Sequence, residues 1–225
     1  LLGHYQAERY GQAEAISMAL SQQYPQHPFA WKVLGAIFMS QGKYQEALEP
    51  TRRSVKLSAL DSDSHLNLGA VLRELGQLDD AEKSCREAIR LKSDNALAHF
   101  NLGLTLQDLK KLAQARDCYE QALAIEPHQI SALLNLSALL LDLNLFNEAE
   151  VKARALLDIN PHNSKALNNL GSALMGLERF DEALESFAEA VRLAPNDLIS
   201  RCNQGRTLQK LGRLREAEGC HRFAV

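Results

Sequence analysis

Apolar and polar positions along the chain fall into short amphipathic stretches that return at a fixed interval. Between Asp63 and Leu75, the residues Leu66, Leu68, Val71, Leu72 and Leu75 share one face of a helix. Gly76-Gln77 marks a turn, and Asp79 is the expected N-cap of a second helix reaching Leu91. The double pattern then repeats. Leu34-Gly35, Leu68-Gly69, Leu102-Gly103, Leu136-Ser137, Leu170-Gly171 and Gln204-Gly205 follow one another at a constant period of 34. Ala47, Ala81, Ala115, Ala149, Ala183 and Ala217 form a second row at that spacing, and Pro127, Pro161 and Pro195 a third. Self-similarity at one period marks an architecture of stacked units.

Residues 28–61, 62–95, 96–129, 130–163 and 164–197 are five full units. Residues 1–27 match the end of an earlier unit, with Ala13 and Pro25 in their rows, and 198–225 is a shortened sixth. No insertion or deletion breaks the register, so the sequence predicts one array over 1–225 without an internal boundary. Helices of about 13 residues are marginal alone, so neighbouring units must supply the burial. A glycine inside a helix costs about 1 kcal/mol relative to alanine. Its recurrence mid-helix signals a close approach of two backbones, and the alanine row is expected to face it.

Composition narrows the function classes. The 40 leucines and 30 alanines, against 13 isoleucines and valines, favour helix. A net charge of −3 lacks the basic footprint of a nucleic-acid or anionic-membrane binder. The most apolar stretch, Ala132 to Phe146, is interrupted by Asn135, Asp142 and Asn144 and is too short and too polar to cross a bilayer. Leu1 to Gly11 has no signal-peptide layout, so a soluble, cytoplasmic protein is expected.

Catalytic and metal chemistry find little support. Cys85, Cys118, Cys202 and Cys220 include no close pair and read as reduced thiols packed like small apolar groups. His65 and His99 stand one period apart, at equivalent positions, but two histidines are too few for a zinc site. His128 and His162 fall in turns between units and are expected in solvent. The acidic pairs Asp79-Asp80 and Asp181-Glu182 complement the macrodipole at the start of second helices. No nucleophile, phosphate-loop or metalloprotease motif occurs, so no catalytic residue, metal or cofactor is expected and this segment is not expected to be an enzyme.

The repeated residues carry a resemblance. Trp31, Leu34-Gly35, Phe38, Gly42, Tyr44 and Ala47 are similar to the tetratricopeptide repeat pattern. So are Leu167, Leu170-Gly171, Leu174, Phe180, Ala183, Phe187, Ala190 and Pro195. The match extends over essentially the whole chain. Departures are local: Lys110, Asn144 and Glu178 replace the turn glycine, and Ala59 and Ser93 the terminal proline. The resemblance implies an all-α fold of antiparallel helix pairs coiled into a right-handed superhelical solenoid. It also implies first helices lining a concave surface that holds peptides or partner proteins.

On that face, Asn67, Asn101, Asn135, Asn169 and Asn203 recur at the same period. Asparagine is a poor helix-interior residue because its amide competes for backbone hydrogen bonds. A primary amide can also donate to and accept from a peptide group, so the row is expected to grip an extended chain. Helical spacing sets Phe100, Leu104, Leu134 and Leu141 beside it as the expected apolar contacts. Arg206 and Lys210 bring positive charge near one end, while Asp108 and Asp142 follow the middle. Chaperone-tail clamps of this family set Lys and Arg at fixed positions in successive repeats. Phe29, Leu97 and Ser131 occupy one such position here.

The expected function is a protein-interaction scaffold whose partner is a protein or peptide, with neither nucleic acid nor membrane involved. The alternative is a substrate-docking arm of a larger enzyme, because the repeats resemble arrays that precede bacterial O-linked N-acetylglucosamine transferase-like glycosyltransferase domains. The chain starts and stops within units, which leads to an expectation of a longer array or of end-to-end self-association.

Overall fold

The computed structural model describes residues 10–222, and these hold thirteen α-helices and no strand. Contacts gather the chain into two compact units, the first ending at Ile125 and the second beginning at Glu126. The division falls in a turn between repeats, so the sequence period runs unbroken through a chain that spatial contacts divide in two. Unit 1 holds α1 (Tyr10–Gln23), α2 (Pro28–Ser40), α3 (Tyr44–Leu57), α4 (Ser62–Glu74), α5 (Leu78–Leu91), α6 (Ala96–Asp108) and α7 (Leu112–Ile125). Unit 2 holds α8 (Ile130–Asp142), α9 (Phe146–Ile159), α10 (Ser164–Gly176), α11 (Phe180–Leu193), α12 (Leu198–Lys210) and α13 (Leu214–Arg222).

A 13-residue helix, a three-residue turn, a 14-residue helix and a four-residue turn make each full repeat. In unit 1 the pairs are α2/α3, α4/α5 and α6/α7; in unit 2 they are α8/α9, α10/α11 and α12/α13. Within a unit, each second helix packs on the next first helix, and successive first helices touch. The short turns make the paired helices antiparallel.

The middle residue of every three-residue turn lies in the left-handed region. Gly42, Gly76 and Gly212 have φ of 71°, 73° and 73°, and Lys110, Asn144 and Glu178 follow at 61°, 58° and 62°. The non-glycine turns therefore keep the glycine geometry at a local cost of about 1–2 kcal/mol. Each turn closes with a hydrogen bond from its third residue back into the helix, such as Lys111 N to Leu106 O at 2.8 Å. Asp79 is not a cap: α5 begins at Leu78 after Gln77, which leaves Asp79 and Asp80 in the first turn. Side-chain caps sit instead on first helices, where Asn95, Asn163 and Asp197 accept from backbone N–H groups.

Four of the six four-residue turns are pinned from the first helix that follows, the exceptions being those before α8 and α10, where Leu133 and Leu167 stand at the bonding position. Trp31 Nε1 donates to Pro25 O at 3.1 Å, and Arg201 Nη2 to Pro195 O at 2.7 Å. His65 and His99 bond the equivalent carbonyls of Ala59 and Ser93 at 2.9 and 3.0 Å. These two histidines thus act within the fold. The turns that lack proline are both held by a histidine.

Helix pairing follows a rule that the sequence reading placed on the wrong row. Gly35, Gly69, Gly103 and Gly171 face Thr51, Cys85, Tyr119 and Phe187, not the alanines. A Cβ on these glycines would lie 2.6–2.8 Å from the facing side chain. Of the alanine row, the Ala81 carbonyl oxygen comes within 3.4 Å of such an atom at Gly69. The alanines from Ala47 to Ala217 are buried elsewhere along the second helices. Cys85, fully enclosed, has its thiol pushed up to about 12 by burial and is a packing group. In the α8/α9 pair the two positions are Ser137 and Ala153, both buried, so the larger residue has moved to the first helix.

One set of ion pairs between neighbouring repeats returns at every second step, while Lys32 Nζ, 3.1 Å from Asp63, bridges an intervening one. Lys43 Nζ lies 3.9 Å from Glu14, Lys111 Nζ 2.7 Å from Glu82 and Arg179 Nη1 2.8 Å from Glu150. The acids and bases of this set each recur at twice the repeat period. The hydrogen bond from Lys111 holds the Glu82 carboxyl below its usual range, against the desolvation that raises it.

Two measurements test this account. Gly103→Ala should destabilise the chain by about 1–3 kcal/mol through overpacking, although alanine is the better helix former. Combined with Tyr119→Ala, its cost should fall well below the sum of the two single substitutions. Strictly additive urea midpoints would show that these residues do not oppose each other. The Glu82 contribution is complete above the ordinary glutamate pKa of about 4.3 and is lost as pH falls through the lower folded value. The drop in urea midpoint between neutral and acidic buffer should therefore shrink in Glu82→Gln. An undiminished drop counts against the pairing.

Candidate functional site

The asparagine row stands inside first helices, one residue before the Leu-small pair of each close approach. Val33 holds the same position in α2, so the helix pair does not require an amide there. The five amides have different surroundings.

In unit 1, Asn67 and Asn101 are half-buried, and neither side chain has a hydrogen-bond partner among the described residues. Both keep their full donor and acceptor capacity, one repeat apart on α4 and α6. Leu104, one turn along from Asn101, is half-buried and keeps some surface. Phe100 is turned into the core. It is 9% exposed and its ring lies 5.8 Å from that of Tyr119. Sequence spacing could not separate these cases, because Phe100 turns inward toward a tyrosine at a position that other repeats fill with Thr, Cys, Ala or Phe.

In unit 2 the amides are engaged to different degrees. Asn135 Nδ2 donates to Ser131 O of its own helix at 2.8 Å. Asn203 Nδ2 donates to Asn168 Oδ1 at 3.0 Å. Asn169 is buried, and its Nδ2 donates to Ser137 Oγ at 2.8 Å and to Leu134 O at 3.4 Å. This rung joins α10 to α8. The serine that fills the glycine position in α8 supplies its acceptor.

A recess of about 390 Å³ in unit 1 is lined partly by Ile89, Leu102 and Cys118, away from the asparagines. Burial pushes the Cys118 thiol up to about 11 and leaves it protonated at neutral pH. A recess of about 530 Å³ in unit 2 is lined by three of the expected residues, Leu134, Asn135 and Asn169. Lys165, Asn168, Asp197 and Ile199 contribute to its polar and apolar walls. The sequence reading missed these four. Asn168 could have been found as the neighbour of Asn169, whereas Lys165 and Asp197 carry no signal beyond their register position. Leu141 is half-buried and lies outside that recess. Among the described residues no group of three or more His, Cys, Asp or Glu could hold a metal ion. No described helix is long and apolar enough to cross a membrane.

Three family models described as tetratricopeptide repeat match the chain. One matches residues 60–127, one matches 164–197, and a third covers 2–62 together with 100–163, more than half of the chain. No curated protein matches. Among solved structures, the chain is 23% identical to PilF of Pseudomonas aeruginosa, covering 89% of this chain and 91% of that one with a TM-score of 0.78. YrrB, described as a TPR protein with an unusual peptide-binding site, is 17% identical, with 82% and 95% covered and a TM-score of 0.67. The APC/C hetero-tetramer Cut9-Hcn1 yields a TM-score of 0.76 at 17% identity, covering 98% of this chain and 44% of that one. At these identities the likeness establishes a shared all-α repeat fold.

The division of the asparagine row can be measured without a ligand. Asn169→Ala should lose roughly 1–3 kcal/mol, because it strands partners inside the fold. Asn101→Ala should be neutral or slightly stabilising, because it removes no bond and improves helix propensity. Equal shifts in thermal midpoint would contradict the division.

Proposed function

The chain belongs to the tetratricopeptide repeat family, and from that premise we propose that it is an interaction scaffold holding extended peptide segments on the faces of its first helices. The observation that carries this reading is the recess of about 530 Å³ in unit 2, where Leu134, Asn135 and Asn169 line one cavity. Its volume lies within the range of ligand sites, and its walls combine apolar surface with a few polar groups. Asn135 retains its carbonyl oxygen for a peptide N–H, while Asn169 and Asn203 hold the wall in place. Leu134 and Leu141 offer apolar surface on the same helix. In unit 1 the free amides of Asn67 and Asn101 are the peptide-gripping groups, with Leu104 beside them. The peptide-binding site described for YrrB supports the reading by analogy of fold.

Backbone recognition of this kind would tolerate varied peptide side chains, because an amide pairs with any peptide group. Peptides selected from a displayed random library on the whole chain should lose affinity when Asn67, Asn101 and Asn135 are replaced by alanine. Each replacement should weaken binding about two- to tenfold in calorimetric titration. None of the three amides joins one helix to another, so the fold should be retained. Affinities unchanged in all three variants would move recognition off these faces.

A further inference from the structure

We propose that unit 2 carries a second, chemically distinct subsite, which docks an acidic protein segment through an aromatic or large aliphatic anchor residue. It rests on the reading of the chain as an interaction scaffold and adds the chemistry of one partner. A recess of about 290 Å³ opens where the α10–α11 turn meets α12. Its apolar surface comes from Phe146, Met175 and Phe180, all half-buried. The recess depends on residue 176 having no side chain. A Cβ on Gly176 would lie 2.5 Å from the Phe146 ring. Phe146 therefore rests directly on the end of α10.

Arg206 and Lys210 stand on the rim, one helical turn apart on α12. Both are exposed, and neither has an ion-pair or hydrogen-bond partner among the described residues. Most other exposed arginines of the chain bond an acid three or four residues away, as Arg86, Arg90, Arg154, Arg192 and Arg213 do. The repeat provides an internal control. The positions equivalent to Arg206 are Ala36, Ala70, Leu104, Ala138 and Ser172, and those equivalent to Lys210 are Ser40, Glu74, Asp108, Asp142 and Gly176. Helix packing therefore asks for no cation at either place. Two unpaired cations beside aromatic surface match a carboxylate-rich segment with one large apolar side chain. Glu178, also on the rim, offsets one of the two charges.

The probe is a fluorescein-labelled peptide with a central phenylalanine flanked on each side by four glutamates, titrated with the full chain and read by anisotropy. The labelled peptide should bind, and binding should weaken with salt. Arg206→Ala with Lys210→Ala should weaken it about fivefold or more. Glu178→Gln should tighten it about twofold. A peptide with alanine at the centre should lose about tenfold or more. Overturning results are a glutamine-flanked peptide that binds equally, an unchanged affinity in the double variant, or no binding by the wild type. Equal competition by a uridylate oligomer would also overturn it, because the cations would then read phosphate. Failure here alongside asparagine-sensitive library peptides leaves the preceding reading intact. Success here with asparagine-insensitive library peptides removes that reading of the asparagine faces alone.

Discussion

The two helices of a repeat approach so closely that one of them has no room for a side chain at the crossing. Everything else in the fold follows from that contact. The glycine of the first helix receives whatever the second helix presents opposite it, whether threonine, cysteine, tyrosine or phenylalanine. One partner must be absent for the other to vary. The α8/α9 pair, with serine against alanine, keeps the total volume small by dividing it differently. Interiors packed at crystal density respond to single methylene changes, so this complementarity fixes each pair. The turns, their left-handed middle residues and the shared faces of the first helices all inherit that geometry.

Much of this was legible in the sequence because it repeats. The first helices begin at Pro28, Ser62, Ala96, Ile130, Ser164 and Leu198, the residues at which the sequence pattern opens each unit. What could not be read was anything decided by a contact between rows. Two small-residue rows are visible, but only the structure shows that glycine faces the variable row and not the alanines. Asp79 resembles a cap, yet the three-residue turn sets the cap two positions earlier, at Gln77. Three turns lack the glycine in sequence, and only the structure shows that Lys110, Asn144 and Glu178 adopt the same backbone.

The candidate site shows the same limit more sharply. Five asparagines at one register position look equivalent, and their environments are not. Asn169 is drawn inward because Ser137 offers an oxygen where its counterparts are glycines, and Asn203 because Asn168 stands across from it. Asn67 and Asn101 meet no such partner among the described residues. A departure from the repeat in one helix thus decides the role of a regular residue in the next. Periodicity averages over such departures. In a repeat protein the irregular positions mark where the units have acquired separate tasks.

The alternate spacing of the ion pairs made by Glu14, Glu82 and Glu150 makes neighbouring repeats electrically unlike at this one register position. Glu14, Glu82 and Glu150 meet a base in the following repeat, while Leu48, Arg116 and Leu184 stand at the intervening positions. Each exposed pair contributes little to stability. Their arrangement nonetheless constrains how the chain can be edited. Excising the one repeat that follows Glu14 would bring it opposite Gln77, and the same cut after Glu82 would bring that acid opposite Leu145. Excising two repeats at either place would present a base again, Lys111 in the first case and Arg179 in the second. By backbone shape the interchangeable module is a single repeat, but by charge it is a couple, so grafts and truncations that respect the alternation must move repeats in twos.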